Sequence, residues 1–181
     1  GVGHRNVIFS SAAEAKKFIR NKNQLYSEPS PESSDAQKLW QLIRTKNIDC
    51  VAIPHHIHDQ VHPIDWQVRD EELEPVIELF QIRGSSEYPG CPRMNNVSRH
   101  TVNDNPKVYA DYALREKGYK IGFIASGDHN GIGVGSAVLL AKEKTRKGLL
   151  EALRARRCYA TTGDKIFLDF KVDDTLMGET I

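Results

Sequence analysis

The chain has 181 residues, of which 39% are hydrophobic and 27% are charged, a composition typical of one soluble globular domain. Its formal net charge is +1, which gives no bulk electrostatic signal for binding nucleic acid or an anionic membrane. No uninterrupted apolar run approaches the roughly 20 residues of a membrane span, and the first residues lack the layout of a signal peptide. We therefore expect a cytoplasmic protein that binds neither nucleic acid nor a membrane.

The first part of the chain predicts two strands separated by two helices. Residues 6–10 read as a short strand, and capping-box patterns at Ser11 and Ser34 each open an amphipathic helical pattern. Residues 48–53 then form a short apolar run typical of a buried strand, which Pro54 is expected to end.

The rest of the chain continues this alternation. After a long loop, residues 76–82 predict a strand, and a further loop leads to a helix that begins at Pro106 and stops at Gly118. The strand-like runs that follow are 120–125, "SAVLLAKE", "CYATTG" and "KIFLDFKV", with the helical pattern "TRKGLLEALRARR" among them. Strands alternating with helices favour an α/β domain with mostly parallel strands and flanking helices. We assign it to residues 1–163, with 164–181 as either the start of a following β element or a terminal strand.

Three of the apolar runs end in residues that bind metals. In α/β proteins the loops after the C-terminal ends of parallel strands build the active site, so the side chains there are expected to converge. Imidazole and carboxylate together suit zinc, manganese or iron. The residues at the three ends are His55 and His56, then Glu78, Arg83 and Glu87, then Asp128 and His129.

Several of these residues also have ordinary structural interpretations. His55 and His56 can be plain loop histidines, and Glu78 can face a helix layer and pair with an arginine. Arg83 suits a phosphate or a carboxylate, but a salt bridge explains it as well. A ligating histidine needs its second ring nitrogen held by a partner, for which Asp59 or Asp65 is available.

The segment His58-Asp-Gln-Val-His62 imitates the zinc-protease motif H-E-x-x-H. That motif requires both histidines on one face of a helix. Pro54 and Pro63 flank a segment too short for a stable helix, so we interpret His58 and His62 as loop residues that line the site entrance.

Longer strings in the chain carry a family resemblance. "IPHH", "VIELFQIRGSSEYPGCPR", "GYKIGFIASGDH" and "LLEALRARRCYATTGDKIFLDF" resemble the PHP family, named for polymerase and histidinol phosphatase domains, and in particular a bacterial branch that is a domain of unknown function. The resemblance covers nearly the whole chain. It implies a distorted (β/α)7 barrel with metal ions at its C-terminal face and phosphoesterase-like chemistry on a small-molecule phosphate or a related substrate.

The resemblance also implies roles for particular residues, and the chain departs from the family pattern in two places. It implies metal ligation by His55, Asp128 and His129, while Glu87 falls in the branch's own glycine-serine-glutamate string. PHP proteins open with a His-x-His strand, and no such strand is expected in these 181 residues. Asn130 stands where the late Asp-x-His motif has its histidine. We therefore expect the C-terminal portion of a barrel, with an apolar face that a homo-oligomer covers.

The combined interpretation is a metal-dependent, phosphoesterase-like hydrolase. Its metal ligands are His55, Asp128 and His129, and Glu87 and Arg83 act in catalysis. Further candidate ligands are His56, Glu78, His58 and His62. The alternative is a non-catalytic metal-binding or scaffold domain with a degenerate site.

Overall fold

The computed structural model describes residues 3–18, 36–92, 103–129 and 133–181. The helices in these residues are α1 (Ala12–Phe18), α2 (Ala36–Thr45), α3 (Ala110–Arg115) and α4 (Arg146–Arg154), with short 3-10 helices at Trp66–Val68 and Pro106–Val108. The strands are β1 (His4–Phe9), β2 (Cys50–His55), β3 (Val76–Gln81), β4 (Gly84–Ser85), β5 (Gly122–Ala125), β6 (Ser136–Leu139), β7 (Cys158–Thr161), β8 (Lys171–Val172) and β9 (Thr175–Leu176).

The strands form small sheets that pack beside one another. β1 pairs antiparallel with β2, and the register places His4 opposite His55. β3 pairs parallel with β5 and antiparallel with β4. β6 pairs antiparallel with β7, and β8 with β9. Because β3 contacts β2 and pairs parallel with β5, the ends of β2, β3 and β5 lie close together.

The prediction of a partial (β/α)7 barrel with mostly parallel strands is wrong. Within the described ranges the pairing of β3 with β5 is the one parallel pair, every other pair is antiparallel, and no barrel is formed. The helical connections explain the error, because those between β1 and β2 and between β6 and β7 join strands that run antiparallel. A helix between two strands permits a parallel crossover but does not require one.

Local sequence signals predicted most element positions. The hydroxyl of Ser11 accepts a hydrogen bond from the backbone N–H of Glu14 at 3.2 Å, as a capping box requires. The second capping box, at Ser34, lies outside the described residues. Pro54 does not end β2, since it pairs with Arg5 inside the strand. Of the run "KIFLDFKV", only Lys171–Val172 forms a strand.

The apolar core lies on both sides of the central strands. One cluster joins α2 to β1 and β2, a second packs α3 against β3, and a third packs α4 against β2 and β5. Representative members of the three clusters, in that order, are Trp40 and Ile43, then Trp66, Ile77 and Tyr109, then Val51, Leu150 and Leu153. In the described part of the chain, no helix has the length and apolarity needed to cross a membrane.

All three cysteines are free and buried. Burial raises the pKa of the Cys50 and Cys158 thiols to about 11. Because the thiolate is the reactive form, we expect both to react with Ellman's reagent at pH 8 at least about 100-fold more slowly in the native protein than in urea. Mass spectrometry of the labelled protein checks this, and rapid labelling of either residue in the native state would contradict the buried placement.

Candidate functional site

Four histidines gather where β1 begins and β2 ends. His4 Nδ1 lies 2.9 Å from His56 Nε2. The ring of His4 also stacks on that of His62, with 4.5 Å between centroids, and the centroids of His55 and His56 are 4.2 Å apart. His56 has a φ of 37°, in the left-handed region that a non-glycine residue seldom adopts, so the chain turns sharply there.

Glu78 connects this histidine group to β5. Its side chain is almost completely buried, and its Oε1 lies 2.7 Å from His55 Nδ1 and 3.3 Å from the backbone nitrogen of His56. The Ser126 hydroxyl donates a hydrogen bond to Oε2 of Glu78. The hydroxyl oxygen of Ser126 also accepts a bond from the backbone N–H of Asp128 at 3.3 Å. One buried carboxylate therefore holds the ends of β2, β3 and β5 together.

Asp128 is the point where the groups meet. Its Oδ1 lies 3.5 Å from His55 Nε2 and 3.3 Å from His129 Nε2, and its Oδ2 lies 3.0 Å from a guanidinium nitrogen of Arg83. Asp128 has a φ of 53°, so it too has a left-handed backbone conformation. The structure thus brings together His55, Asp128 and His129, the three predicted ligands, and adds Arg83.

The electrostatic environment shifts the pKa values of the histidines in different directions. Burial lowers the pKa of His55, but its hydrogen bond to Glu78 and the charges of Glu78 and Asp128 outweigh burial, so the net shift of the pKa is upward. Burial, with the charges of His55 and His4, lowers the pKa of His56 to about 4. Burial and His62 also lower the pKa of His4. His4 and His56 are therefore neutral at pH 7, the state in which imidazole binds metals.

The remaining predicted residues lie apart from Asp128. His58 is buried, with Nδ1 2.6 Å from the hydroxyl of Ser86, and its ring stacks on Tyr109. His62 stacks on His4 instead. The segment 58–62 contains no helix, so His58 and His62 do not form the protease motif. Glu87 is exposed and lines a separate, mostly apolar cavity of about 500 Å³ near β7.

The partner that orients His55 is neither aspartate considered from the sequence. Asp59 Oδ1 accepts hydrogen bonds from the backbone N–H groups of Val61 and His62, at 2.8 and 2.9 Å. Asp65 accepts a bond from Gln67 and caps a 3-10 helix. Glu78, placed in the sequence analysis as a candidate ligand or a structural carboxylate, performs the orienting role.

Sequence reasoning missed His4 and Ser126. His4 precedes an apolar run that was identified as a strand, but only the antiparallel register of β1 and β2 places it beside the other histidines. Ser126 follows β5 directly, and a polar residue between an apolar strand and Asp128-His129 was the available signal.

The donor atoms do not yet form a metal cage. In ranges 3–18, 36–92, 103–129 and 133–181, no three His, Cys, Asp or Glu side chains are arranged to hold an ion as they stand. His4 and His56 face one another instead of a common centre, and Arg83 pairs with one oxygen of Asp128. Metal binding therefore requires side-chain rotation. The His129 side chain is 83% exposed and has the freedom to rotate.

Curated relatives of the chain are bacterial. It is 30% identical to an uncharacterised protein of Chlamydia pneumoniae, over 76% of this chain and 24% of that protein. Uncharacterised proteins of Chlamydia muridarum and Chlamydia trachomatis are 26% and 25% identical, each over 87% of this chain and 28% of their own length. The chain thus spans about a quarter of the length of the curated relatives it matches. No family model and no solved structure matches it.

Proposed function

We propose that this chain contributes the site of a metal-dependent hydrolase that acts on a phosphate ester or a related substrate. The observation that carries the proposal is the position of Asp128 Oδ1, which faces the Nε2 atoms of His55 and His129 at 3.5 and 3.3 Å. The motif strings that resemble PHP proteins supply the same three residues, and this resemblance supports the choice of phosphate chemistry.

The donor set fits zinc, manganese or iron. At a zinc–ligand distance of about 2.0–2.1 Å, two donors of one tetrahedral ion are separated by roughly 3.3–3.4 Å, close to the two separations at Asp128. Both separations exceed the usual length of an N–H···O hydrogen bond. Glu78 holds Nδ1 of His55 and directs Nε2 toward Asp128, as an outer-shell carboxylate does for a ligating histidine.

The residues around Asp128 have distinct roles in this proposal. His55, Asp128 and His129 hold the ion, which when bound lowers the pKa of a water molecule and polarises a phosphoryl oxygen. The Arg83 guanidinium lies 3.0 Å from Asp128 and presents a planar fork suited to phosphate oxygens. One hydrogen bond of 2.9 Å joins the neutral rings of His4 and His56, with one ring donating its N–H to the other, and holds both rings beside the site.

The alternative function is a metal-binding or scaffold domain without catalysis. The pairing of Arg83 with Asp128 favours this alternative, because an arginine that neutralises a metal ligand is not free to bind substrate. Hydrolysis of p-nitrophenyl phosphate by the metal-loaded protein separates the two functions, because only the hydrolase releases nitrophenolate at a rate that the Arg83→Lys change lowers.

We expect the Asp128→Ala/His129→Ala protein to lose bound zinc. The double change removes the shared oxygen and one imidazole, and His55 alone holds a divalent ion poorly. The measurement is the zinc content per chain after loading and dialysis, determined by elemental analysis. Asp111→Ala is the matched control, since this carboxylate is paired with Arg115 on the exposed face of α3.

Equal zinc in the double variant and in the unaltered protein would place the ligands elsewhere and reject the proposal. His4, His56 and His62 would then be the next residues to replace. Circular dichroism of each variant confirms that a loss of zinc reflects the missing ligands and not a loss of fold.

A further inference from the structure

The segment 165–169, here called the edge segment, presents apolar side chains to solvent. Phe167 is 82% exposed and Ile166 56%, and Leu168 is exposed as well. Large apolar side chains grouped on a surface mark interaction sites in soluble proteins. Ile166 and Leu168 also line the cavity near β7, whereas Phe167 does not. The side chains therefore alternate between two faces, as they do along a strand.

The backbone of the edge segment is bonded along one side. The hydroxyl of Tyr159 donates a hydrogen bond to the carbonyl of Ile166 at 2.7 Å and accepts one from the N–H of Leu168 at 2.9 Å. In a strand the N–H and C=O groups of alternate residues point to the same side. The C=O of Ile166 and the N–H of Leu168 thus point toward β7, while the N–H of Ile166 donates to the carbonyl of Asp164 at 3.0 Å.

Within the described ranges, the other side of the edge segment has no backbone partner. Among the described residues, the backbone N–H and C=O groups of Lys165, Phe167 and Asp169 make no hydrogen bond. A row of unpaired backbone groups of this kind is a template for pairing with another strand. The alternation seen at Tyr159 places all three residues on that open edge.

We propose that the edge segment pairs antiparallel with the same segment of a second copy of this chain, about a twofold axis at Phe167. This association is separate from the proposed hydrolase site and does not depend on it. A twofold interface requires a self-complementary surface, because each residue meets its partner's counterpart in both directions.

The sequence of the edge segment is self-complementary in this register. On the outward face Lys165 lies opposite the second copy's Asp169, and the two Phe167 rings lie opposite each other. On the other face Ile166 lies opposite Leu168 of the second copy. Directly opposed charges of unlike sign, aromatic pairs and apolar pairs each stabilise an antiparallel pair.

Other registers lose this match. A shift of two residues places either Lys165 opposite Lys171 or Lys165 opposite Phe167. Within one chain Asp169 lies 3.6 Å from Lys171, and both side chains are about half exposed, so Asp169 is free to meet a second lysine.

Charge reversal at the two ends of the register tests the proposal. Sedimentation equilibrium measures self-association of the unaltered protein, of Lys165→Asp, of Asp169→Lys, of the two variants mixed, and of the double variant. Each single variant places like charges opposite each other twice, and we expect dimerisation to weaken on the order of 10- to 100-fold.

The mixture and the double variant restore unlike charges at both positions, so we expect both to associate as the unaltered protein does. Lys147→Asp, an exposed reversal on α4, is the control and should leave association unchanged. A monomer at every concentration of the unaltered protein would overturn the proposal. So would dimers that persist in both single variants, because a different surface would then form the contact.

Discussion

We expect the Glu78→Gln protein to bind zinc about 10- to 100-fold more weakly than the unaltered protein. The buried carboxylate accepts hydrogen bonds on both oxygens, from His55 and the backbone of His56 on one and from Ser126 on the other. A glutamine is uncharged and presents an NH2 group on one side, so it opposes the His55 N–H in one orientation and accepts from it only through a neutral amide oxygen in the other. The contact that directs the Nε2 of His55 toward Asp128 is therefore weakened.

Calorimetric zinc titration measures this change, with Glu151→Gln on α4 as the matched control in a carboxylate remote from the site. Nitrogen-15 NMR of the metal-free proteins provides a second readout. It should show His55 protonated at Nδ1 in the control and a mixture of tautomers in Glu78→Gln. Unchanged zinc affinity together with an unchanged tautomer would exclude an orienting role for Glu78.

The sequence predicted where strands lie but not how they pair. Apolar runs at 48–53, 76–82 and 120–125 correspond to β2, β3 and β5, since a buried strand needs several consecutive apolar residues. Strand direction depends on tertiary packing, which local patterns do not encode. The helices α1 and α2 lie between β1 and β2, yet the two strands run antiparallel. For this reason the prediction of mostly parallel strands was wrong.

The candidate site was predictable to the extent that its residues sit beside recognisable strands. His55 ends β2, and Asp128 and His129 come shortly after β5. A rule about the carboxyl ends of parallel strands predicted that they lie close together, although β2 itself pairs antiparallel with β1. His4 needed the register of β1 against β2, and Ser126 needed the hydrogen bond to Glu78. Glu87 sits in the most distinctive string of the chain, but the turn after β4 leaves it exposed beside the cavity.

Replacing Arg5 by Met is expected to lower the free energy of unfolding by about 3–5 kcal/mol at pH 7. Arg5 Nε lies 2.8 Å from Glu74 Oε1, and the two side chains are 4% and 0% exposed. Removing the guanidinium leaves a buried carboxylate without this partner, which costs more than the pair contributes. Urea unfolding measures the loss, and Glu74→Gln in the same protein should recover much of it by removing the charge.

The destabilisation by Arg5→Met should also depend on pH. Burial raises the pKa of the Glu74 carboxyl, while Arg5 opposes the rise, so without Arg5 the folded-state pKa lies still further above that of the unfolded chain. A group with a raised folded-state pKa stabilises the fold below its unfolded pKa of about 4.3, and this contribution is lost as the pH rises through the folded-state pKa. The unfolding free energy of Arg5→Met should therefore fall from pH 5 to pH 8 relative to that of Arg5→Met/Glu74→Gln. Parallel pH profiles for the two variants would show that Glu74 does not titrate in this range and that the loss in Arg5→Met comes from packing against Trp40.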